Sequence, residues 1–90
     1  MKNELEDFQN AKSSTQKAIQ LNPNFAEAHL NLGNILQNLS KFKEAEISYI
    51  NAIQLNPNFT EAHLNLGKLL KNLGKLREAE SSILQAIQLN

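Results

Sequence analysis

The chain repeats itself every 34 residues. Laid over itself at that offset, residues 17–56 match residues 51–90 at 28 of 40 positions. The run Ala18-Ile19-Gln20-Leu21-Asn22-Pro23-Asn24-Phe25 returns unchanged at 52–59, and its first five residues return again at 86–90. Glu27-Ala28-His29-Leu30-Asn31-Leu32-Gly33 returns at 61–67, and upstream Leu5, Phe8 and Ala11 still stand 34 before Leu39, Phe42 and Ala45. A period in this range means one supersecondary unit copied along a line, each copy burying its apolar face against the next. That architecture suits a chain of 90 residues, which is too short to bury a large central core.

Each unit reads as two helices. Ala28, Leu32, Ile35, Leu36 and Leu39 recur at spacings of three, four and seven, one apolar face of a first helix. Phe42, Ala45, Tyr49, Ala52, Ile53 and Leu55 mark a second, and Pro57 stops it. Asn24 with Glu27, and Asn58 with Glu61, have the spacing of a capping box. Gly74 suits the left-handed closing position of a helix, and Ser40, in the same place one repeat earlier, should close less well. The spacing predicts five helices, at about 8–21, 26–38, 42–55, 60–72 and 76–89. Nothing alternates as a strand does. The whole chain, 1–90, reads as one array: a partial unit over 1–25, a full one over 26–59 and a nearly full one over 60–90.

Composition removes several functions. Lys+Arg and Asp+Glu number nine each, so the formal charge is zero, and no basic surplus is present to hold nucleic acid. Lys68, Lys71, Lys75 and Arg77 form the most basic stretch, which reads as a solvated face. There is no cysteine, hence no disulfide, thiolate metal site or cysteine nucleophile. No apolar run approaches the ~20 residues that cross a bilayer, and Met1–Asp7 lacks the apolar core of a signal peptide, so a cytoplasmic protein with no membrane partner is expected. Ser13, Ser14, Ser48, Ser81 and Ser82 have no nucleophile-elbow context. Glu44, Glu46, Glu78 and Glu80 sit among lysines as surface pairs do. No phosphate-cradling glycine loop is present. No catalytic residue and no cofactor are expected.

His29, Leu32, Gly33, Leu36, Ala45, Tyr49 and Pro57 resemble the signature of the tetratricopeptide repeat, and His63, Leu66, Gly67, Leu70, Ala79 and Ile83 follow it in the next copy. His stands for the usual Trp, and Ile83 for an aromatic. The phrase from Phe25 to Asn34 is similar to arrays in the O-linked N-acetylglucosamine transferase and in many bacterial proteins, as a binding array only. The resemblance implies an all-α solenoid of antiparallel helix pairs in a right-handed superhelix, with the first helix of each pair lining a concave groove that holds extended peptides. A glycine inside a helix costs about 1 kcal/mol against alanine. Gly33 and Gly67 therefore imply close helix approach, facing Ala45 and Ala79, and Gly33→Leu should force the pair apart.

On that scheme the groove-side residues are Glu27, Leu30, Asn31, Asn34, Gln37 and Asn38, with Glu61, Leu64, Asn65, Lys68, Lys71 and Asn72 one repeat on. Asn31 and Asn65 are the leading pair. They match an asparagine ladder of the transferase-like arrays, and a carboxamide donates and accepts at once, so it can pair with a peptide unit of any sequence. The family's carboxylate-gripping clamp fits poorly, because the only groove-side cations, Lys68 and Lys71, share one repeat and Glu27 and Glu61 stand nearby. His29 and His63 are the only histidines. A repeat apart, separated by two helix widths of about 10 Å each, they cannot share one metal ion, and each reads as filling an aromatic slot.

Neither end shows a polar capping unit. Leu84 and Ile87 would meet a further repeat, and the first helix has lost most of its inner partner. Three functions follow as expectations: a scaffold that binds a protein or extended peptide, a module that self-associates through its terminal helices, or the substrate-recognition arm of a larger enzyme.

Overall fold

A computed structural model describes residues 4–74 and 76–89, with side chains over the same residues apart from 76–81 and 89. The five helices are α1 (Glu4–Leu21), α2 (Ala26–Asn38), α3 (Phe42–Leu55), α4 (Thr60–Asn72) and α5 (Leu76–Leu89). Each packs on its neighbours in the chain, α1 on α2, α2 on α3, α3 on α4 and α4 on α5. The result is an elongated all-α array measuring 41 × 28 × 19 Å. Four of the helices keep the bounds expected from the repeat. α1 starts earlier, because Glu4, Glu6 and Asp7 in its first turn suit the positive end of the helix dipole without any apolar period to announce them.

The turns are built by asparagine and proline. Asn22-Pro23-Asn24-Phe25 closes with the Phe25 N–H donating to the Asn22 carbonyl at 3.2 Å, and Phe59 donates likewise to Asn56 at 3.0 Å. Proline takes the second turn position, where its fixed φ fits. Ahead of Pro57, Asn56 is extended (φ −140°, ψ 89°), which ends α3. The expected capping boxes do not form. The N-caps are Phe25 and Phe59, one residue after Asn24 and Asn58, and neither end has a side-chain cap bond. The turn places the asparagines outside the helix, so they miss the first-turn amides.

The helix C-termini follow the expectation. Gly74 has φ +81° and Ser40 has φ +61°. Ser40 N–H donates to Gln37 at 3.0 Å and Lys41 N–H to Leu36 at 2.8 Å, a complete Schellman closure. A serine holds this left-handed geometry at a cost of about 1 kcal/mol that glycine escapes. Ser40→Gly is therefore expected to stabilise the fold by roughly 1 kcal/mol, a rise of about 4–8 °C in Tm on thermal unfolding.

The core joins the first full pair to the next helix: Leu30, Leu36, Ala45, Tyr49, Ala52, Ala62, Leu66, Leu69 and Leu70, with Leu32, Ile53 and Phe59 packed against them. Three positions depart from the sequence reading. Leu30, expected on the groove, is 3% exposed and belongs to the core. Phe42 and Leu55, expected inside, are 38% and 40% exposed. Ser48 is buried in their stead, because α3 turns the face of Ala45, Ser48, Tyr49 and Ala52 inward.

Gly33 shows what the helical glycine is for. An ideal Cβ there would lie 2.6 Å from Cε1 and 2.7 Å from Cδ1 of Tyr49. The close approach at Gly33 is to the Tyr49 ring of α3, the helix that also carries Ala45, and Ala79 lies outside the described side chains.

Candidate functional site

On α2, Glu27, Asn31, Asn34 and Asn38 follow at spacings of four, three and four, so they form one stripe. On α4 the same stripe is Glu61, Asn65, Lys68 and Asn72. Asn34 and Asn65 are half-buried and the other six are exposed. Gln37 flanks the stripe half-buried, Lys71 is exposed, and Leu64 is 36% exposed. Of the twelve residues expected on the groove, eleven are exposed or half-buried and Leu30 is not.

The half-buried members meet. Asn65 Nδ2 donates to Asn34 Oδ1 at 3.1 Å, bridging α4 to α2. The Tyr49 hydroxyl donates to the same oxygen at 2.6 Å and lies 3.0 Å from Gln37 Oε1. Both lone pairs of Asn34 Oδ1 are thereby used. Three helices are tied at one carboxamide, and the Asn65 carbonyl oxygen is held in place beside it. Asn31 and Asn65 are consequently not equivalent. Among the described helices α2 is the first of its kind, so no Asn34-like carboxamide precedes Asn31, which stays exposed.

Tyr49 is the residue that sequence reasoning placed only in the core. Its side chain is fully buried, and burial, with the Glu61 carboxylate nearby, pushes its phenol up to about 12. Its signal was present in the repeat offset. Where Tyr49 becomes Ile83, Asn34 becomes Lys68 and Gln37 becomes Lys71. The hydroxyl and both of its acceptors vanish together in the second copy, leaving two cations where the first copy has carboxamides.

The histidines do repeated structural work. Nε2 of His29 donates to the Pro23 carbonyl at 3.0 Å, and Nε2 of His63 to Pro57 at 2.9 Å, each clamping the turn before its helix. Among the described residues no three His, Cys, Asp or Glu side chains come together as a metal site would need, and no helix is long and apolar enough to cross a membrane. Lys75 and Arg77 of the basic stretch lie outside the described side chains.

Repeated helix pairs stacked in line, with helical glycines and a shared inner face, define a solenoid of the interaction type. Tetratricopeptide repeat patterns match residues 2–25, 26–59 and 48–81. The chain belongs to the tetratricopeptide repeat family. No curated protein matches it in sequence. Among solved structures it is similar to MamA, with TM-score 0.90 and 26% identity over 92% of this chain and 48% of that one. It therefore spans about half the length of MamA. It shares the fold of the Yersinia enterocolitica type III secretion translocator chaperone SycD (TM-score 0.89, 23% identity, 93% of this chain, 58% of that one). It also shares the fold of the second tetratricopeptide domain of Spaghetti (RPAP3) bound to an HSP90 peptide (TM-score 0.88, 24% identity, 92% and 77%).

Proposed function

We propose that the chain is a non-catalytic scaffold module that holds an extended peptide or protein segment along the α2–α4 stripe. The observation that carries this reading is the carboxamide row. Asn34 and Asn65 are fixed by each other and by Tyr49, which leaves the Asn65 carbonyl and the exposed Asn31 amide to pair with a peptide backbone. Preorganised groups lose little freedom on binding. Glu27 and Glu61 stand at one end of the stripe, with Lys68 and Lys71 at the other, a polarity that favours one direction of the bound segment.

The test is a peptide-array screen followed by Asn31→Ala with Asn65→Ala. That pair keeps the Tyr49–Asn34 bond but removes the Asn65–Asn34 bridge, so the helicity and Tm of the double variant are measured beside its affinity. Two lost hydrogen bonds of about 1 kcal/mol each predict an affinity drop of roughly tenfold or more. Unchanged affinity for every array binder refutes the groove.

Self-association is a second reading, favoured by Leu84 and Ile87 of α5, which are 56% and 64% exposed. Unclosed head-to-tail contacts make such a face cohesive. Sedimentation should then show oligomers at high concentration that Ile87→Glu dissolves, and a monomer throughout the range removes the idea.

A further inference from the structure

We propose, resting on the peptide groove above, that Tyr49 is its positioning residue: the hydroxyl sets which atoms of Asn34 and Asn65 face out, so that the bound segment must bring a carbonyl oxygen to Asn34 and an N–H to Asn65. The Tyr49 side chain is fully buried and acts only through these two carboxamides. A carboxamide can face two ways, oxygen inward or nitrogen inward. At Asn34 the distances decide. The Tyr49 hydroxyl lies 2.6 Å from Asn34 Oδ1 and 3.0 Å from Gln37 Oε1, and it has one proton to give. The shorter separation suits an O–H···O bond and falls below the ~2.7 Å at which N–H···O bonds begin. The proton therefore goes to Asn34, and the Asn34 atom that meets it is oxygen. Asn65 Nδ2 donates to the same oxygen at 3.1 Å. Turning Asn34 over would set its N–H groups against those of Asn65, donor against donor.

What faces the groove follows. Asn34, with its oxygen held inside, turns Nδ2 and its hydrogens outward. Asn65, with its nitrogen held by Asn34, turns Oδ1 outward. Neither of these atoms has a partner among the described residues. Both residues are half-buried, yet the buried side-chain polar atoms left without a partner, among the described residues, come down to His29 Nδ1. Asn34 Nδ2 and Asn65 Oδ1 are therefore open to solvent. A donor and an acceptor on adjoining helices offer what one residue of a strand offers the residue opposite, which exchanges both its N–H and its C=O. A free carboxylate would gain the Asn34 donor and be repelled by the Asn65 oxygen.

The second unit meets the same need without a hydroxyl. Ile83 stands where Tyr49 stood, and Lys68 where Asn34 stood. An ammonium group has donors only, so it needs nothing to orient it. The group that can face two ways occurs together with the tyrosine.

Two measurements on the intact chain separate this proposal from the groove itself. With no peptide present, ¹⁵N–¹H spectra of the side-chain amides should show one Asn65 Nδ2 proton exchanging roughly fivefold more slowly than either Asn34 Nδ2 proton, and Tyr49→Phe should erase the difference. With a binder from the peptide array, each backbone N–H in turn is replaced by an ester oxygen. At one position the ester should cost roughly fivefold or more on the native chain and nothing on Tyr49→Phe, where a freed Asn65 turns its N–H groups outward instead. Asn34→Asp guards against a folding artefact. Its carboxylate still accepts from Tyr49 and Asn65, so helicity and Tm should hold, while the outward donor becomes an acceptor and affinity falls on the order of tenfold or more. Asn34 protons that exchange as slowly as those of Asn65, an ester cost equal in both backgrounds, or a folded Asn34→Asp that binds as the native chain does would each overturn the proposal and leave the groove standing. If no array peptide binds, the groove falls and the proposal with it.

Discussion

Gly33→Ala is expected to destabilise the fold by about 2 kcal/mol, although alanine is the better helix former by about 1 kcal/mol. The new methyl would sit 2.6, 2.7 and 3.0 Å from three ring carbons of Tyr49. The ring is fully buried, and its hydroxyl is anchored to Asn34, the next residue of α2. It has no room to retreat, so the strain goes into the α2–α3 contact. Thermal unfolding should fall by on the order of 10 °C for a domain of this size. The mechanism is checked by a double-mutant cycle. In a Tyr49→Leu background the ring is gone, and Gly33→Ala should there be neutral or stabilising. Equal losses in both backgrounds would show that the glycine serves something other than the ring.

The repeat made most of the fold legible because one period constrains helix number, length and stop signals at once. Copying Asn22-Pro23 at 56–57 predicts where two helices end, and the structure ends them there. The misses share a cause: the sequence shows which residues are apolar, not which way a helix is rolled against its neighbour. A face drawn through Ala28, Leu32 and Leu39 put Leu30 on the groove. The actual roll of α2 centres the buried face nearer Gly33, which takes Leu30 inward and leaves Leu32 and Leu39 half-buried. The capping boxes failed for a similar reason, since the proline turn rather than the spacing of Asn24 and Glu27 decides which residue starts the helix. At the candidate site the stripe was legible as a set. Its internal bonding was not, because Asn31 and Asn65 are identical in sequence context and differ only in what lies beside them. The joint change of Tyr49, Asn34 and Gln37 between copies is the one trace of that bonding a sequence carries.

Tyr49→Phe should expose the strength of that bonding, at neutral pH and again in alkali. The hydroxyl is the donor to Asn34 Oδ1 and lies against Gln37 Oε1, so its removal leaves half-buried acceptors short of a proton, at a cost of about 1–2 kcal/mol. The same group makes the native chain sensitive to base. Its ordinary value is near 10, and burial and then the Glu61 charge raise it to about 12 in the fold. Between those two values the folded chain holds a proton that the unfolded chain has released, so stability falls as pH rises from about 10 towards 12 and the Tyr49 contribution is intact below that window. The chain has one tyrosine and no tryptophan, so phenolate absorbance reports this group alone. Its midpoint should lie near 12 in the folded protein and near 10 in denaturant, and Glu61→Gln should lower the folded value. The stability gap between the native chain and Tyr49→Phe should narrow from pH 10 upward. A folded-state titration at 10, or a gap that stays constant with pH, would mean that the phenol is solvated and that the three-helix junction at Asn34 is not closed.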